Sequence, residues 1–502
     1  VTANPLAPSW LAEPFDANSI DPALWPASAV RTEAGELTIA GVGVDSLVER
    51  YGTPLYVVDE DDVRGRAADA LAAFGSAFSR VGGRAKVYYA GKAFLSTEVA
   101  RWVAEAGLNI DVCSGGELAV ALAAGIDAAR IGVHGNNKSL TEIDRAVAAG
   151  VGAIVIDSAQ EIDRVAAAAE RHSSRQRVRL RVNSGVHAHT HEFLATAHED
   201  QKFGVPLEQT EGLVAAIRGH ELLDFVGLHC HIGSQIFGSE GFAESAARLL
   251  AVHARLLTQG EVPELNLGGG FGIAYTSGDR PTPLAELADR IADVVSAECS
   301  RLGIPLPTVA FEPGRSIVGP AGVTLYTAGT TKAVEVGLGV GVGEGRAEPL
   351  QPESGVRTGS ASAQRLYVSV DGGMSDNARF ALYGAEYAVR MVNRTSSAPA
   401  VLVRIAGKHC ESGDIVVDAD YLPGDVAPGD VLAVPATGAY CWSLSSNYNY
   451  LPRPAVIAVR GGTSRVIVRG ETEADLLAHD VGIEKSESVD ADARRLNAEV
   501  RA

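Results

Sequence analysis

The chain is short of several residue types. Its 502 residues include five cysteines, four tryptophans and two methionines, and aromatics make up only 6%. The cysteines (Cys113, Cys230, Cys299, Cys410 and Cys441) are odd in number, scattered, and form no Cys-x-x-Cys pair. That argues against a disulfide framework and a zinc ribbon, and a reducing cytoplasm is the expected location. Basic residues are outnumbered, 43 Lys and Arg against 62 Asp and Glu, for a net charge of -19. A surface of that sign repels phosphate backbones and anionic lipid, so neither nucleic-acid nor membrane binding is expected. No apolar run is long enough to span a bilayer. Val1 to Trp25 carry no basic n-region, so no signal peptide is expected there. No repeat of solenoid spacing is present.

What the chain does have is length and apolar content. At 46% hydrophobic it can bury a large core, and it is too long for one average domain. Between Tyr51 and Pro320 eight β-rich runs alternate with Ala/Leu/Glu/Arg-rich stretches of helical period. The runs cover 85–93, 108–116, 130–137, 153–158, 178–185, 224–235, 264–272 and 308–316. Strand and helix in alternation predict parallel strands with crossover helices, and eight such units predict a (β/α)8 barrel of TIM type. Beyond Pro320 the texture changes to short Val/Ile/Tyr runs separated by Gly, Pro and Asp. This predicts an all-β domain, a sandwich or Greek-key barrel. The expected organisation is an N-terminal segment, 1–50, lending a strand near 36–42 to the β domain; a barrel, 51–320; the β domain, 321–485, with a Gly/Ser/Glu-rich surface insert near 335–363; and a peripheral tail, 486–502.

Most of the eight runs end in polar or glycine residues, and in a barrel those ends converge on one mouth, where chemistry is placed. Turns account for the glycines but not for a Lys, a His, a Glu and an Arg at such positions. Lys92 ends the first run. A lysine drawn out of bulk water there suits Schiff-base formation, although an isolated strand-end lysine is more often simply solvated. Gly268, Gly269 and Gly270 allow close approach of backbone to a phosphate. Arg315 offers a fork of donors to an anion. Glu312 can hydrogen-bond a protonated pyridine nitrogen. His231 can lie against the ring face, with Ser234 reaching the phosphate. A metal competes: His187, His189 and His191 alternate, as do His229 and His231, and residues two apart on a strand share a face. A metal leaves Lys92, the glycine loop and Glu312 without a role, so none is expected.

The segments YYAGKA, DVCSGGEL, HGNNKS, HCHIGSQ, GGGFG, EPGR, CESGD and GAY resemble, in order, the motifs of the fold-type-III pyridoxal-phosphate decarboxylases, the ornithine, arginine and diaminopimelate decarboxylase family. The resemblance runs over about 36 to 475. It implies pyridoxal 5'-phosphate as cofactor and a homodimer with active sites shared between subunits. It also implies that Lys92 carries the cofactor, that His231 stacks on it, and that Glu312 meets the pyridine nitrogen. Asp111, Ser234, Gly268, Gly269, Gly270, Gly314, Arg315 and Tyr440 would complete the cofactor site.

Three stretches, 187–204, 371–384 and 407–414 with 438–449, resemble the diaminopimelate branch of that family. The implied reaction is decarboxylation of meso-2,6-diaminopimelate to L-lysine and carbon dioxide. That substrate carries a distal amino-acid group, which needs a cation for its carboxylate and an anion for its amine. By the resemblance Arg315, Arg379 and Tyr383 clamp the carboxylate, Tyr440 also borders the substrate, Glu411 takes the amine, and Cys410 is the proton donor from the neighbouring subunit. A buried arginine pair has no use in an ornithine site. Phe380 stands where the family usually has Pro, a loss that would loosen the clamp. Cys113 and Cys441 are expected to be packing residues. A decarboxylase of ornithine, arginine or lysine, a racemase of similar barrel, a non-catalytic homologue and a metal-dependent hydrolase stay open as alternatives.

Overall fold

The computed structural model describes residues 4–186, 202–338 and 362–482. The loop histidines His187, His189 and His191, most of the 335–363 insert and the 486–502 tail lie outside these residues.

Eight parallel strands close into a barrel: Arg84–Ala90, Asn109–Val112, Ile131–Val133, Ala153–Ile156, Gln176–Asn183, Leu223–His229, Glu264–Asn266 and Thr308–Phe311. Each pairs with the next, and the eighth returns to the first with Thr308 beside Arg84. The strands coincide with the eight predicted runs. Ala153–Ile156 is buried along its whole length, as expected where helices cover the outside of a parallel sheet.

The crossover helices begin at sites marked in the sequence. The Ser96, Ser114 and Ser139 hydroxyls accept the N–H of the residue three positions on, and Glu142 completes a capping box with Ser139. The helix Glu60–Arg80 enters ahead of the first strand and packs Phe74 flat on Phe311 with ring centres 3.9 Å apart.

The second layer is a nine-stranded sheet. Its main path runs Ile415–Pro423, Ala400–Ala406, Ser362–Val370, Gly322–Gly337, Leu55–Asp59, Val456–Arg460 and Thr463–Val468, with Val431–Pro435 and Arg390–Met391 joined alongside Gly322–Gly337. The 16-residue strand Gly322–Gly337 is its spine. One half pairs with Leu55–Asp59 and Val431–Pro435, the other with Ser362–Val370.

Two segments depart from the sequence-based organisation. Leu55–Asp59, inside the range assigned to the barrel, is a strand of this sheet and lies antiparallel to Gly322–Gly337, with Val58 opposite Gly322. The barrel is therefore inserted between two neighbouring strands of the second domain. A five-residue apolar run suits either sheet, so sequence could not choose. The stretch 36–42 does not join the large sheet. Leu37–Ile39 forms a three-stranded sheet with Val30–Arg31 and Val42–Gly43. Leu37, Ile39 and Val42 pack this small sheet onto Leu55, Val323 and Ile457 of the large one. No described helix is long and apolar enough to cross a membrane.

Candidate active site

The C-terminal ends of the barrel strands bring the predicted residues to one mouth. Lys92 sits in the single turn Gly91–Ala93 after the first strand, exposed to the mouth. A Cβ on Gly91 would lie 2.8 Å from the Asp111 carbonyl oxygen, so only glycine lets the turn pass there.

Glu312, just after the eighth strand, is buried at the centre of a polar cluster. Asn266 Nδ2 donates to Glu312 Oε1 at 2.7 Å, and His229 Nε2 lies 3.1 Å from the same oxygen. His134 Nε2 stands 3.6 Å from Glu312 Oε1 and 3.1 Å from Asp111 Oδ1. Burial alone would raise the Glu312 carboxyl, but His229 and His134 outweigh it and hold the group well below the usual carboxylate range. Asp111 goes the other way: burial and then the neighbouring Glu312 charge push it well up. Of the pair, Glu312 is the stronger acid. Burial drops His134 and His229 to about 4, against the pull of Glu312, so both rings are neutral at pH 7.

His231 is lowered well below its ordinary value, by burial first and the Lys92 charge second. The Gly269 N–H donates to its Nδ1 at 3.2 Å, which leaves the ring proton on Nε2. The Gly268 N–H is also taken, by Asn266 Oδ1 at 2.8 Å. Among the described residues, the Gly270 N–H has no protein acceptor. Gly268 and Gly269 thus spend their N–H groups inside the protein, and all three glycines contribute room. A Cβ on Gly269 would lie 2.1 Å from the Glu312 carbonyl oxygen, and one on Gly270 2.3 Å from that of Gly233. Gly314 is similarly pressed, with the Ala90 carbonyl oxygen 2.9 Å from where its Cβ would be.

The arginines lie beside this cradle. Arg315 Nη2 donates to Ser234 Oγ at 2.8 Å, Nη1 donates to the Tyr275 hydroxyl, and Cζ sits 4.5 Å over the Tyr440 ring. Tyr440 is fixed by its own N–H, which donates to the Ala93 carbonyl at 2.8 Å beside Lys92. Arg379 opens the one-turn helix Arg379–Tyr383 and is buried. Its Nη1 donates to the Tyr387 hydroxyl, and its Cζ lies 4.4 Å over Tyr275. Burial opposes its charge, but Tyr275, Tyr387 and Cys441 hold its pKa above the ordinary value. Among the described residues, neither arginine is paired with a carboxylate. Phe380 occupies the first turn of that helix, where an N–H has no partner within the helix, so proline and phenylalanine both fit the position.

Cys410, Glu411 and Tyr383 are not gathered into the mouth. All three are exposed on the sheet domain. The Cys410 N–H donates to Asn449 Oδ1 at 3.1 Å, and Glu411 Oε1 accepts from Ser412 and Gly413. Cys441 is buried, as expected, but Cys113 is exposed at the mouth just past the second strand. The metal alternative meets a different group from the one expected: the ligand atoms of His134, His229 and Glu312 lie within 4.8 Å of one another. The Asn266 amide hydrogen aimed at Glu312 Oε1 competes with a cation for that oxygen.

Sequence reasoning gave no role to His134, Asn266, Tyr275 or Tyr387. Asn266 had a signal: it interrupts an apolar strand, ELNL, at an inward position. His229 alternates with His231 in the sequence, which brought it into the metal argument but not to Glu312.

The residues present fit pyridoxal phosphate. The mouth holds a buried anionic carboxylate, a neutral imidazole, a free backbone N–H beside Ser234 and Arg315, and a lysine. Both Asp111 carboxylate oxygens and His134 Nε2 are buried with no hydrogen-bond partner among the described residues.

The comparisons agree. The model of the pyridoxal-dependent decarboxylase pyridoxal-binding domain matches residues 63–319, and that of the pyridoxal-dependent decarboxylase C-terminal sheet domain matches 354–438. Diaminopimelate decarboxylase of Mycobacterium tuberculosis is 48% identical over 468 residues, covering 92% of this chain and 98% of the relative. That of Bacillus subtilis is 42% identical, covering 90% and 96%. The crystal structure of diaminopimelate decarboxylase from M. jannaschii in complex with L-lysine superposes with a TM-score of 0.78 at 29% identity, covering 92% and 99%. Barrel, sheet, mouth and relatives together establish that the chain belongs to the pyridoxal-dependent decarboxylases, in the diaminopimelate decarboxylase family.

Proposed function

We propose that the chain is a carboxy-lyase that converts meso-2,6-diaminopimelate to L-lysine and carbon dioxide with pyridoxal 5'-phosphate as cofactor, the last step of lysine biosynthesis. The observation that carries the substrate choice is the pair Arg315 and Arg379, set beside the cofactor mouth and matched by no carboxylate among the described residues. A guanidinium held among phenols is a receptor for an external carboxylate. Diaminopimelate brings one at its distal end; ornithine does not.

Lys92 would hold the cofactor through its amine. Bound pyridoxal phosphate supplies the electron sink for the breaking bond. Glu312, kept anionic by Asn266 and its two histidines, would keep a proton on the pyridine nitrogen of the bound cofactor. Neutral His231 presents an uncharged ring to the cofactor face. Asp111, Ser234, Gly268 to Gly270, Gly314, Arg315 and Tyr440 would border the rest of the cofactor. Arg315, Arg379 and Tyr383 hold the distal carboxylate, Glu411 the distal amine, with Tyr440 alongside. The bond from the α-carbon to its carboxylate breaks, carbon dioxide leaves, and the Cys410 thiol gives its proton to that carbon.

This reading includes a homodimer in which Cys410 and Glu411 of one subunit complete the mouth of the other. Their exposure supports it, together with that of Leu382, Tyr383 and Tyr450 on the same domain. A cytoplasmic location fits five free thiols.

Subunit mixing tests the reading. Lys92→Ala abolishes turnover and the absorbance of covalently held cofactor; Cys410→Ala keeps that absorbance and loses most turnover. A one-to-one mixture of the two variants recovers up to about a quarter of wild-type activity, because about half of the dimers are mixed and each of those keeps one of its two mouths intact. Verified mixed dimers that stay inactive would contradict the shared site, and an active Lys92→Ala protein would contradict the role of Lys92.

A further inference from the structure

Tyr275 follows the glycine loop and is buried, its N–H donating to Asp279 Oδ2 at 2.9 Å and its carbonyl accepting from Ala388 at 3.2 Å. Its side chain touches both arginines. The phenol oxygen accepts from Arg315 Nη1, and the ring face lies 4.4 Å beneath Arg379 Cζ. Tyr387 meets the same ring edge-on, with centres 5.0 Å apart and planes at 78°, and accepts from Arg379 Nη1. Arg315 belongs to the barrel and Arg379 to the sheet domain, so this one side chain spans the seam between them.

We propose that Tyr275 is a specificity-determining positioning residue, setting the two guanidiniums at the spacing that receives the distal carboxylate of the substrate. The inference rests on the assignment of Arg315 and Arg379 as the carboxylate clamp. Its physical basis is the kind of partner that Tyr275 offers. A buried arginine must be solvated by something. An aspartate there would neutralise it and remove the receptor. A phenol oxygen and an aromatic face hold the cations in place while leaving their charge available to a ligand. The contribution of Tyr275 therefore falls on ligands that carry a carboxylate and spares those that do not.

The test uses the holoenzyme and two ligands, L-lysine and cadaverine, the diamine that is L-lysine without its carboxylate. Calorimetry gives Kd for each, and steady-state kinetics give KM and kcat for meso-diaminopimelate. Tyr275→Phe, which keeps the ring and removes the hydroxyl, raises Kd for L-lysine and KM about tenfold, with cadaverine affinity unchanged and kcat moving much less than KM. Tyr275→Leu, which also takes the ring from under Arg379, has a larger effect in the same direction. Arg379→Gln abolishes the preference for L-lysine over cadaverine. Melting curves establish that each variant is folded. If Arg379→Gln loses the preference while both Tyr275 variants keep it, the clamp stands and the role of Tyr275 is overturned. If Arg379→Gln keeps the preference, the clamp assignment fails and the proposal with it. An equal loss of affinity for both ligands in the Tyr275 variants marks a merely structural role and also overturns it.

Discussion

Glu312 has one side-chain amide aimed at it, and that amide shows how the mouth is built. Asn266 donates to Glu312 Oε1 at 2.7 Å and accepts the Gly268 N–H at 2.8 Å, so it fixes the carboxylate and the glycine loop together. Asn266→Leu keeps the size of the side chain and removes both bonds. It leaves buried partners unsatisfied, a loss on the order of 1–3 kcal/mol. The variant should bind pyridoxal phosphate at least tenfold more weakly in a fluorescence titration, with kcat reduced as well. Unchanged cofactor affinity would show that the Glu312 cluster is held without it. Lys92, Glu312, Arg315 and His231 were legible in the sequence because each is a charged or titratable residue at a strand end, where a turn does not call for one. Asn266 left only the trace of a polar residue in an apolar strand, and His134 and Tyr275 left none, because their importance lies in which elements face each other across the mouth.

The barrel has a second polar centre at the opposite ends of its strands. Glu264 opens the seventh strand and is 3% exposed. It accepts from Arg179 at 2.7 Å and Arg177 at 2.8 Å, both on the fifth strand, and from Lys86 on the first. Arg179 also donates to the Tyr88 hydroxyl at 2.8 Å. Burial would raise the Glu264 carboxyl, but Arg179 and Lys86 bring it down to about 2 from an ordinary 4.5. The folded state thus binds this proton less readily than the unfolded chain. Its contribution, about 3 kcal/mol, is complete above pH 4.5 and fades as pH falls toward 2. Glu264→Gln should unfold at lower denaturant concentration than wild type at pH 7, and less than half of that difference should survive at pH 3. A difference of the same size at both pH values would mean that the cluster stabilises by packing and not by charge. The eight strand runs were readable one by one from composition and turn residues. Arg177 and Arg179 on a barrel strand were not readable as an internal cluster, since an alternating charged strand equally suits a solvent face.

At the scale of the whole molecule the barrel is an insertion. The chain leaves the sheet at Asp59 and returns beside it at Ala321, where the Asp59 N–H donates to the Ala321 carbonyl at 2.9 Å. Sequence patterning gave two domains and their fold classes, because period and turn chemistry are local. It did not place Leu55–Asp59, whose partners are separated from it by the entire barrel. The insertion fixes the barrel mouth against the sheet domain: Tyr440 bonds Ala93 next to Lys92, and Tyr275 reaches between Arg315 and Arg379. Lys92 and Glu312 come from the barrel, while the proposed carboxylate clamp draws Arg315 from the barrel and Arg379 from the sheet domain, so in the proposed function this junction selects a substrate with a distal carboxylate. The most direct test supplies purified holoenzyme, in separate reactions, with meso-diaminopimelate, ornithine, arginine and lysine, and identifies the products by mass spectrometry. L-lysine from diaminopimelate and no product from the other three is the expected result. Putrescine, agmatine or cadaverine as the principal product would contradict it, since none of the substrates that give them presents a second carboxylate to Arg315 and Arg379.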